Sequence, residues 1–342
     1  MSIRLTIDAN DPIQQKSKDK FSFPFNGGIL RSNVSEEGNC NVEKWVEIMQ
    51  EYTYFLHDIF FACPEIPSFF SDRAKNDYSD RCIELLEIIK NDNIPIRTVI
   101  AINGNYCTYN DQQKDELVDT AIKYIDKYNI YGCVVTDFYI ALKLHQKRPE
   151  LVLNTSCNVN HYYLPSLKLW HEQAGIEIVN PNRPMARNLS ELKKLYNAGF
   201  KIKLLINEHC TCICPNYLCS ASCHSHTFCS ADHFGVTPLQ SCIIIPRWLD
   251  ILDEYCTIYK LAGRLIPLDY VLNQMELYIM RTDDCFYNEF HTGGKIPIPC
   301  NAIPDQLLYC NTDCANCDKC THIMNSLAWQ FQMMPPSMFM WQ

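Results

Sequence analysis

The stretch from Asp111 to Val135, DQQKDELVDTAIKYIDKYNIYGCVV, holds an amphipathic helix pattern followed by a short apolar run. Its apolar and aromatic side chains recur at spacings of three and four residues, so one helix face would carry them: Leu117, Ala121, Ile122, Ile125 and Tyr128. The run Gly132–Val135 that follows predicts a short buried strand. A helix joined to a buried strand in this way indicates an α/β fold with parallel strands.

The same alternation of apolar runs and amphipathic stretches continues along most of the chain. Eight runs predict strands: Tyr54–Ala62, Ile96–Ile102, Gly132–Val135, Leu151–Leu153, Ile176–Val179, Ile202–Ile206, Ile243–Ile245 and Ile258–Leu261. Eight strand–helix units in 342 residues predict a closed (β/α)8, TIM-like barrel. An open doubly wound sheet is the alternative, but the chain has only 11 glycines and neither GxGxxG nor GxxxxGK.

Three regions follow from this pattern. Residues 1–44 are polar and are predicted to form an N-terminal leader. Residues 45–282 would form the barrel, with a Cys-rich insertion at 208–242. Residues 283–342 are irregular in pattern, rich in proline and paired glycine, and predict an irregular Cys-rich C-terminal extension.

The composition indicates which substrates and which cellular compartment to expect. The chain has 30 basic and 39 acidic residues, a net charge of −9, and no Lys/Arg-rich block, which disfavours RNA as a substrate. It has no apolar run of 18 residues and no signal-peptide pattern at its polar N-terminus, so we expect a cytoplasmic protein with no membrane association. Twenty cysteines in a reducing compartment then indicate metal binding rather than disulfides.

The densest group of cysteines follows the predicted strand Ile202–Ile206. Cys210 and Cys214 come directly after the strand end and are the best placed to ligate a metal. Further thiols follow in the same segment: Cys212, Cys219, Cys223, Cys229 and Cys242. Thiolates concentrated in this way are typical of an iron–sulfur site.

A second group lies near the C-terminus, where Cys310, Cys314, Cys317 and Cys320 fall within eleven residues. Four thiols this close can converge on one ion or cluster. The spacing resembles that of ferredoxin-like runs, which predicts a second iron–sulfur cluster. A zinc ion held by four cysteines is the alternative, since spacing does not separate the two.

Charged side chains recur just after the predicted strands, where the active site of a barrel is built. Three of them are arginines, at Arg183, Arg247 and Arg264. Because a guanidinium group binds carboxylates in a bidentate way, these arginines predict a clamp for an anionic ligand. Glu208 ends the strand before the Cys-rich segment and is either a proton-transfer group or a carboxylate that caps the loop.

The chain resembles the collagenase-like peptidase family, peptidase family U32. The resemblance spans roughly residues 50–322 and depends on the order of five motifs: NTSCNVN (154–160), NPNRPMARNLSELKKL (180–195), LLINEHCTCICP (204–215), IIIPRWLDILDEY followed by YKLAGR (243–264), and the C-terminal run of four cysteines. The family resembles a set of barrel proteins that hold a 4Fe–4S cluster by four cysteines. Cys210 and Cys214 match the motif's cysteines, and we assign Cys229 and Cys242 as the other two ligands. The chain departs from the family by its extra cysteines and by an I-P-R order where I-R-P is usual.

The resemblance implies an oxygen-independent hydroxylase that takes oxygen from a carboxylate cosubstrate such as prephenate. In that reading Arg183, Arg247 or Arg264 holds the cosubstrate and Glu208 moves protons. A U32-type peptidase is the first alternative, although the chain has neither G-x-S-x-G nor HExxH. A non-catalytic iron–sulfur protein that transfers electrons to, or scaffolds, a partner protein is the second. The substrate would be a small molecule, a peptide or RNA.

Overall fold

The structure is a computed structural model that describes residues 5, 7–25, 42–68, 78–159, 164–208, 238–262, 268–286, 290, 298–310 and 316–330. Eight parallel strands close into a barrel in chain order, which confirms the predicted (β/α)8 architecture. They are β1 Phe21–Pro24, β2 Leu56–Ala62, β3 Thr98–Ile102, β4 Gly132–Val135, β5 Val152–Thr155, β6 Ile176–Val179, β7 Lys201–Leu205 and β8 Ile258–Lys260.

Helices alternate with the strands and cover the outside of the barrel. They are α1 Pro12–Lys16, α2 Val42–Tyr52, α3 Tyr78–Asn91, α4 Asp111–Tyr128, α5 Phe138–Lys147, α6 Leu164–Ala174, α7 Leu189–Asn197, α8 Leu249–Leu252, α9 Leu268–Met280 and α10 Lys319–Gln330. Within the described ranges, no helix combines the length and hydropathy needed to cross a lipid bilayer.

Helix α4 shows how local sequence sets an element's limits. Asn110 accepts a hydrogen bond from the Gln113 backbone N–H at 2.9 Å, and the Gln113 side chain accepts one from the Asn110 N–H, which together form a capping box. Asn129 ends the helix in the left-handed conformation, with φ of 52°. The helix therefore begins and ends where its own residues satisfy the free backbone groups, and it buries most of the predicted apolar face.

The first strand was not predicted. Phe21–Pro24 lies in the segment that we expected to be a leader, yet all four residues are buried and the strand pairs with both β2 and β8. The leader prediction for 1–44 is therefore wrong for this part. The run Ile243–Ile245 is not a strand: it is buried, its Ile244 N–H donates to the Ile206 carbonyl at 2.8 Å, and a 3-10 turn over Pro246–Trp248 follows.

The barrel separates two apolar groups. Side chains that point outward from the strands join those of the helices in one large core. A small inner cluster comprises Phe60, Val99, Ala101 and Val134. Because alternate residues of a strand face opposite sides, the pairing of Phe60 with Val99 and of Ala101 with Val134 places this cluster inside the barrel.

The C-terminal extension packs on the outside of the barrel where the structure describes it. Cys300, Leu307 and Leu308 are buried, and α10 lies against the short 3-10 turn Pro238–Gln240. That turn lies near the C-terminal end of the Cys-rich insertion, so the C-terminal extension contacts that end of the insertion.

Candidate functional site

The carboxyl ends of the eight strands meet at one mouth of the barrel, and two of the predicted catalytic residues come together there. Arg183 follows β6 and Glu208 follows β7. The Arg183 Nε lies 3.4 Å from the Glu208 Oε2, and both side chains are mostly buried, at 11% and 15% exposure. The prediction that these strand ends converge on one site is consistent with this geometry.

Asn158, which follows β5, fixes the orientation of the arginine. Its Oδ1 accepts a hydrogen bond from the Arg183 Nη2 at 3.2 Å, so the guanidinium group is held from two sides. A cation and a carboxylate on neighbouring strand ends can bind an anionic group and move a proton, respectively. Glu208 is also the first residue of the predicted Cys-rich insertion, 208–242.

Arg247 lies among polar groups of the C-terminal extension. Its Nε lies 2.8 Å from the Asp305 Oδ1, its Nη1 lies 3.1 Å from the Asp283 Oδ2, and it also donates to the carbonyl oxygens of Cys300 and Ile303. Its carboxylate partners are therefore the protein's own. Arg247 fastens the C-terminal extension to the barrel.

Several predicted site residues lie outside the described residues: Arg264, Cys210, Cys214, Cys229 and Cys314, together with the further thiols Cys212, Cys219 and Cys223. Cys242 is described and is 1% exposed. Cys310, Cys317 and Cys320 are described and half-buried. Among the residues that the structure describes, no three His, Cys, Asp or Glu side chains converge as a metal site would require.

The two Cys-rich segments nevertheless approach each other. The Cys320 Sγ donates to the Leu239 carbonyl at 3.6 Å, and Leu239 lies in the turn that ends the central segment. Arg187 holds the same limb, because its guanidinium group donates to the carbonyl oxygens of Leu239 at 2.5 Å and Ile243 at 2.9 Å. Residues 239–243, at the C-terminal end of the Cys-rich insertion, are thus held by Arg187 on one side and by α10 on the other.

A group of charged side chains inside the barrel was not predicted. Lys203 on β7 lies 2.6 Å from the Asp58 Oδ2 on β2, and the Ser22 hydroxyl on β1 donates to the Asp58 Oδ1 at 2.5 Å. Lys203 and Asp58 are each 1% exposed. Lys260 on β8 is in register with Ser22, and its ammonium group lies 4.4 Å from the centre of the Phe60 ring. We call Ser22, Asp58, Lys203 and Lys260 the interior charged cluster.

The electrostatics of this cluster are set by burial and by the ion pair. Burial lowers the pKa of Lys203, although the Asp58 carboxylate opposes that shift. Burial would raise the pKa of Asp58, but the charges of Lys203 and His57 and the hydrogen bonds from Lys203 and Ser22 outweigh it, so the pKa of Asp58 is lowered. The signal for the cluster was present in the sequence, since each charged residue interrupts a predicted apolar strand.

Comparison with known proteins leaves the family open. No family model matches the chain, and no curated relative matches it. Among solved structures, a U32 peptidase matches with 12% identity and a TM-score of 0.43, over 61% of this chain and 85% of that one. A 2,3-dimethylmalate lyase of the PEP mutase/isocitrate lyase superfamily matches with 12% identity and a TM-score of 0.38, over 96% of this chain and 100% of that one. Likenesses this distant say nothing about activity.

Proposed function

We propose that this chain is an iron–sulfur enzyme that performs an oxygen-independent hydroxylation, or a related modification, at the carboxyl mouth of its barrel. One observation supports this location most directly. The Arg183–Glu208 ion pair follows the ends of β6 and β7, and Glu208 is the first residue of the Cys-rich insertion. Active sites of this fold are built from the loops at this face.

The thiol donors of the chain fit an iron–sulfur cluster. Cys210, Cys214, Cys229 and Cys242 would hold it, and the burial of Cys242 suits a ligand that is shielded from water. When bound, such a cluster supplies one-electron redox chemistry that no amino-acid side chain provides.

The C-terminal thiols form a separate donor set. Cys310, Cys314, Cys317 and Cys320 would hold a second iron–sulfur cluster or a zinc ion. The contact between Cys320 and Leu239 puts one end of this set beside the limb that carries Cys242, so the two sites would be neighbours.

The residues at the mouth would bind the substrates and handle protons. Arg183, held by Asn158, would orient the carboxylate of a cosubstrate such as prephenate, and Arg264 would add a second cation. Glu208 would accept or return the proton of the reacting group. The net charge of −9 favours a small molecule or a peptide over RNA as the substrate that is modified.

The test is anaerobic purification of the full chain with analysis of iron, acid-labile sulfide and zinc. We expect iron and sulfide in equal amounts, with the content of one cluster lost in Cys214→Ser and all of it retained in Cys107→Ser, because Cys107 is an exposed thiol outside both segments. Anaerobically purified protein that contains neither iron nor acid-labile sulfide would overturn the proposal. Zinc at a single site that is lost in Cys317→Ser would assign the C-terminal site to zinc.

Activity assays separate the enzyme from its alternatives. Glu208→Gln should abolish turnover of a carboxylate cosubstrate while leaving iron content unchanged. Peptide release that survives chelation and Cys210→Ser would support the peptidase instead. A loaded cluster with no turnover, together with a protein that copurifies, would support an electron-transfer or scaffold role.

A further inference from the structure

Three asparagines are buried where β3, β5 and β6 approach the carboxyl mouth. Asn103 directly follows β3, Asn154 lies in β5, and Asn180 directly follows β6. Each is at most 5% exposed, and the Oδ1 of each accepts no hydrogen bond within the described ranges. Because a buried acceptor without a donor is costly, three of them in one part of the barrel point to a ligand that supplies donors.

Asn103 and Asn154 both lie on the interior side of the barrel wall. Side chains of a strand alternate between its two faces, so residues two positions apart share a face. Asn103 comes two residues after Ala101, and Asn154 is in register with Val134. Ala101 and Val134 belong to the small inner cluster. The two amides are therefore directed into the barrel from β3 and β5.

Asn180 extends this set towards the candidate site. Ile178 on β6 is in register with Asn154, so Asn180, two residues further along, is on the same interior side and nearer the carboxyl mouth. Arg183, which pairs with Glu208, comes three residues later. The amides therefore border the part of the mouth that holds the Arg183–Glu208 pair.

The orientation of two of the amides is fixed by their nitrogens. The Asn180 Nδ2 donates to the Thr155 carbonyl at 2.5 Å, and the Asn154 Nδ2 donates to the carbonyl oxygens of Cys133 and Val152, both at 3.4 Å. Because an amide carries its donors on the nitrogen and its acceptor on the oxygen, the backbone takes the nitrogen and leaves the oxygen for another molecule. These side chains therefore offer a ligand hydrogen-bond acceptors.

Neutral acceptors of this kind suit hydroxyl donors. None of the three side chains is a carboxylate, which divalent cations prefer among their oxygen ligands. The interior of an eight-stranded barrel has room for at most one small molecule. Acceptors on three different strands need donors that point in several directions from that molecule. A sugar or polyol meets both conditions, because it carries a hydroxyl group on nearly every carbon.

We propose that Asn103, Asn154 and Asn180 bind the molecule that is modified at the carboxyl mouth, and that this molecule is a small sugar or polyol. Its hydroxyl groups donate to the three Oδ1 atoms and remove the cost of leaving them unpaired. The inference rests on the proposed function, since it names the class of molecule on which that same mouth acts.

The test is calorimetric titration of the anaerobically purified full chain with D-ribose, D-glucose and xylitol as separate probes, and with potassium chloride as a fourth titrant. We expect saturable binding of at least one of the three probes, at one site per chain. Calorimetry is preferred to thermal shifts because polyols stabilise proteins in general through exclusion from their surface. No saturable heat with any of the three probes would overturn the proposal, as would saturable binding of potassium ions alone.

Two variants remove the acceptors one at a time. Asn103→Leu and Asn154→Leu should each weaken binding of the probe by roughly five- to tenfold, because one hydroxyl group loses its acceptor. Without a probe, the thermal midpoint of each variant should be unchanged or higher, because a buried unpaired acceptor is removed. Asn91→Leu, at the exposed end of α3, is the matched control and should change neither quantity. Unchanged affinity in either interior variant would overturn the proposal.

Asn207→Leu shows the effect of removing an amide that is paired within the protein. The Asn207 side chain makes hydrogen bonds with Ala262 and Gln274, so the same replacement should lower the thermal midpoint. A similar fall in Asn103→Leu or Asn154→Leu would show that those amides also have structural partners, and would overturn the proposal.

Iron analysis of the same samples separates this inference from the proposed function. None of the variants removes a thiol, so the content of iron and acid-labile sulfide should be the same in all of them. Iron-loaded protein that binds no probe would overturn the inference alone. Sugar or polyol binding by protein that contains no iron would overturn only the iron–sulfur function.

Discussion

The two halves of the barrel interior contrast sharply. On β3 and β4 the inward side chains are Val99, Ala101 and Val134, as in an ordinary barrel core. On the opposite half, β7, β8, β1 and β2 contribute the interior charged cluster. One part of the barrel interior is therefore apolar, whereas another part carries charged groups whose burial costs stability.

Buried charged groups and buried apolar groups contribute differently to the free energy of unfolding. Apolar side chains stabilise in proportion to the surface that they remove from water. A buried ion pair gives little net stability, since desolvation of the two charges offsets their attraction. Breaking such a pair from one side is nevertheless severe, because it leaves the other charge buried and alone. The predictions below use this difference.

The largest effect is expected for Lys203→Met, which leaves the Asp58 carboxylate buried beside Ser22 without its cation. We expect a loss of about 3–5 kcal/mol in the free energy of unfolding. The double variant Lys203→Met/Asp58→Leu should recover most of that loss, because no buried charge remains. Urea unfolding measures both. A loss below about 1 kcal/mol in the single variant would contradict the assigned burial.

A smaller effect is expected in the apolar half for Gly132→Ala. A Cβ at Gly132 would lie 2.5 Å from the Val152 carbonyl oxygen, and a backbone oxygen cannot move aside cheaply. We expect the free energy of unfolding to fall by roughly 1–3 kcal/mol, as for other overpacked core positions. Thermal unfolding checks this, and a midpoint equal to that of the unmodified protein would show that β4 and β5 can separate to make room.

Arg247→Met tests the arginine that links the C-terminal extension to the barrel. The loss of contacts to Asp283, Asp305 and two carbonyl oxygens should weaken the attachment of residues 298–310 by about 1–2 kcal/mol. Hydrogen exchange should therefore rise in that segment and stay unchanged in the strands. Lys147→Met, at a half-exposed ion pair with Asp119, is the control and should leave exchange unchanged in the segment and in the strands. Faster exchange in β7 or β8 would argue against a local role.

The smallest effect is the pH dependence contributed by His57, which lies next to Asp58. Burial lowers the pKa of His57 below its ordinary value of 6.5, so the unfolded chain binds its proton more readily than the folded one. This contribution to stability is present above pH 6.5 and is lost as the pH falls through the folded pKa. The lowered pKa of Asp58 adds a second loss below 3.8.

Urea midpoints measured across this range show the effect. His57→Gln should flatten the fall that begins near pH 6.5 while leaving the loss at more acidic pH in place. If the urea midpoint of His57→Gln falls with pH as steeply as that of the unmodified protein, other groups cause the loss of stability.

Most strands were predictable because each holds a short, mostly apolar run flanked by helix patterns, even where a charged residue interrupts that run. Phe21–Pro24 escaped because a four-residue strand that contains serine and proline carries no such run. Its place in the barrel depends on pairing with β2 and β8, which is a tertiary effect. Ile243–Ile245 has the composition of a strand, but its place beside β7 is already taken by β8.

The site was predictable only as far as the strand assignment was right. Arg183 and Arg247 looked equivalent, since each followed a predicted strand. Arg183 follows a true strand and meets Glu208, whereas Arg247 follows a run that is not a strand and turns to the extension. Asp58, Lys203 and Lys260 remained hidden because only closure of the barrel shows that they face one another.

Because β1 ends at Pro24 and its partner β8 begins at Ile258, the ring cannot close until the residues between them have been synthesised. The contact between Lys20 and Asp253 spans 233 positions along the chain. Pairings this distant form slowly, so β1 keeps an unpaired backbone edge until β8 is in place. Molecular chaperones that shield such edges would then govern how much active protein a cell accumulates.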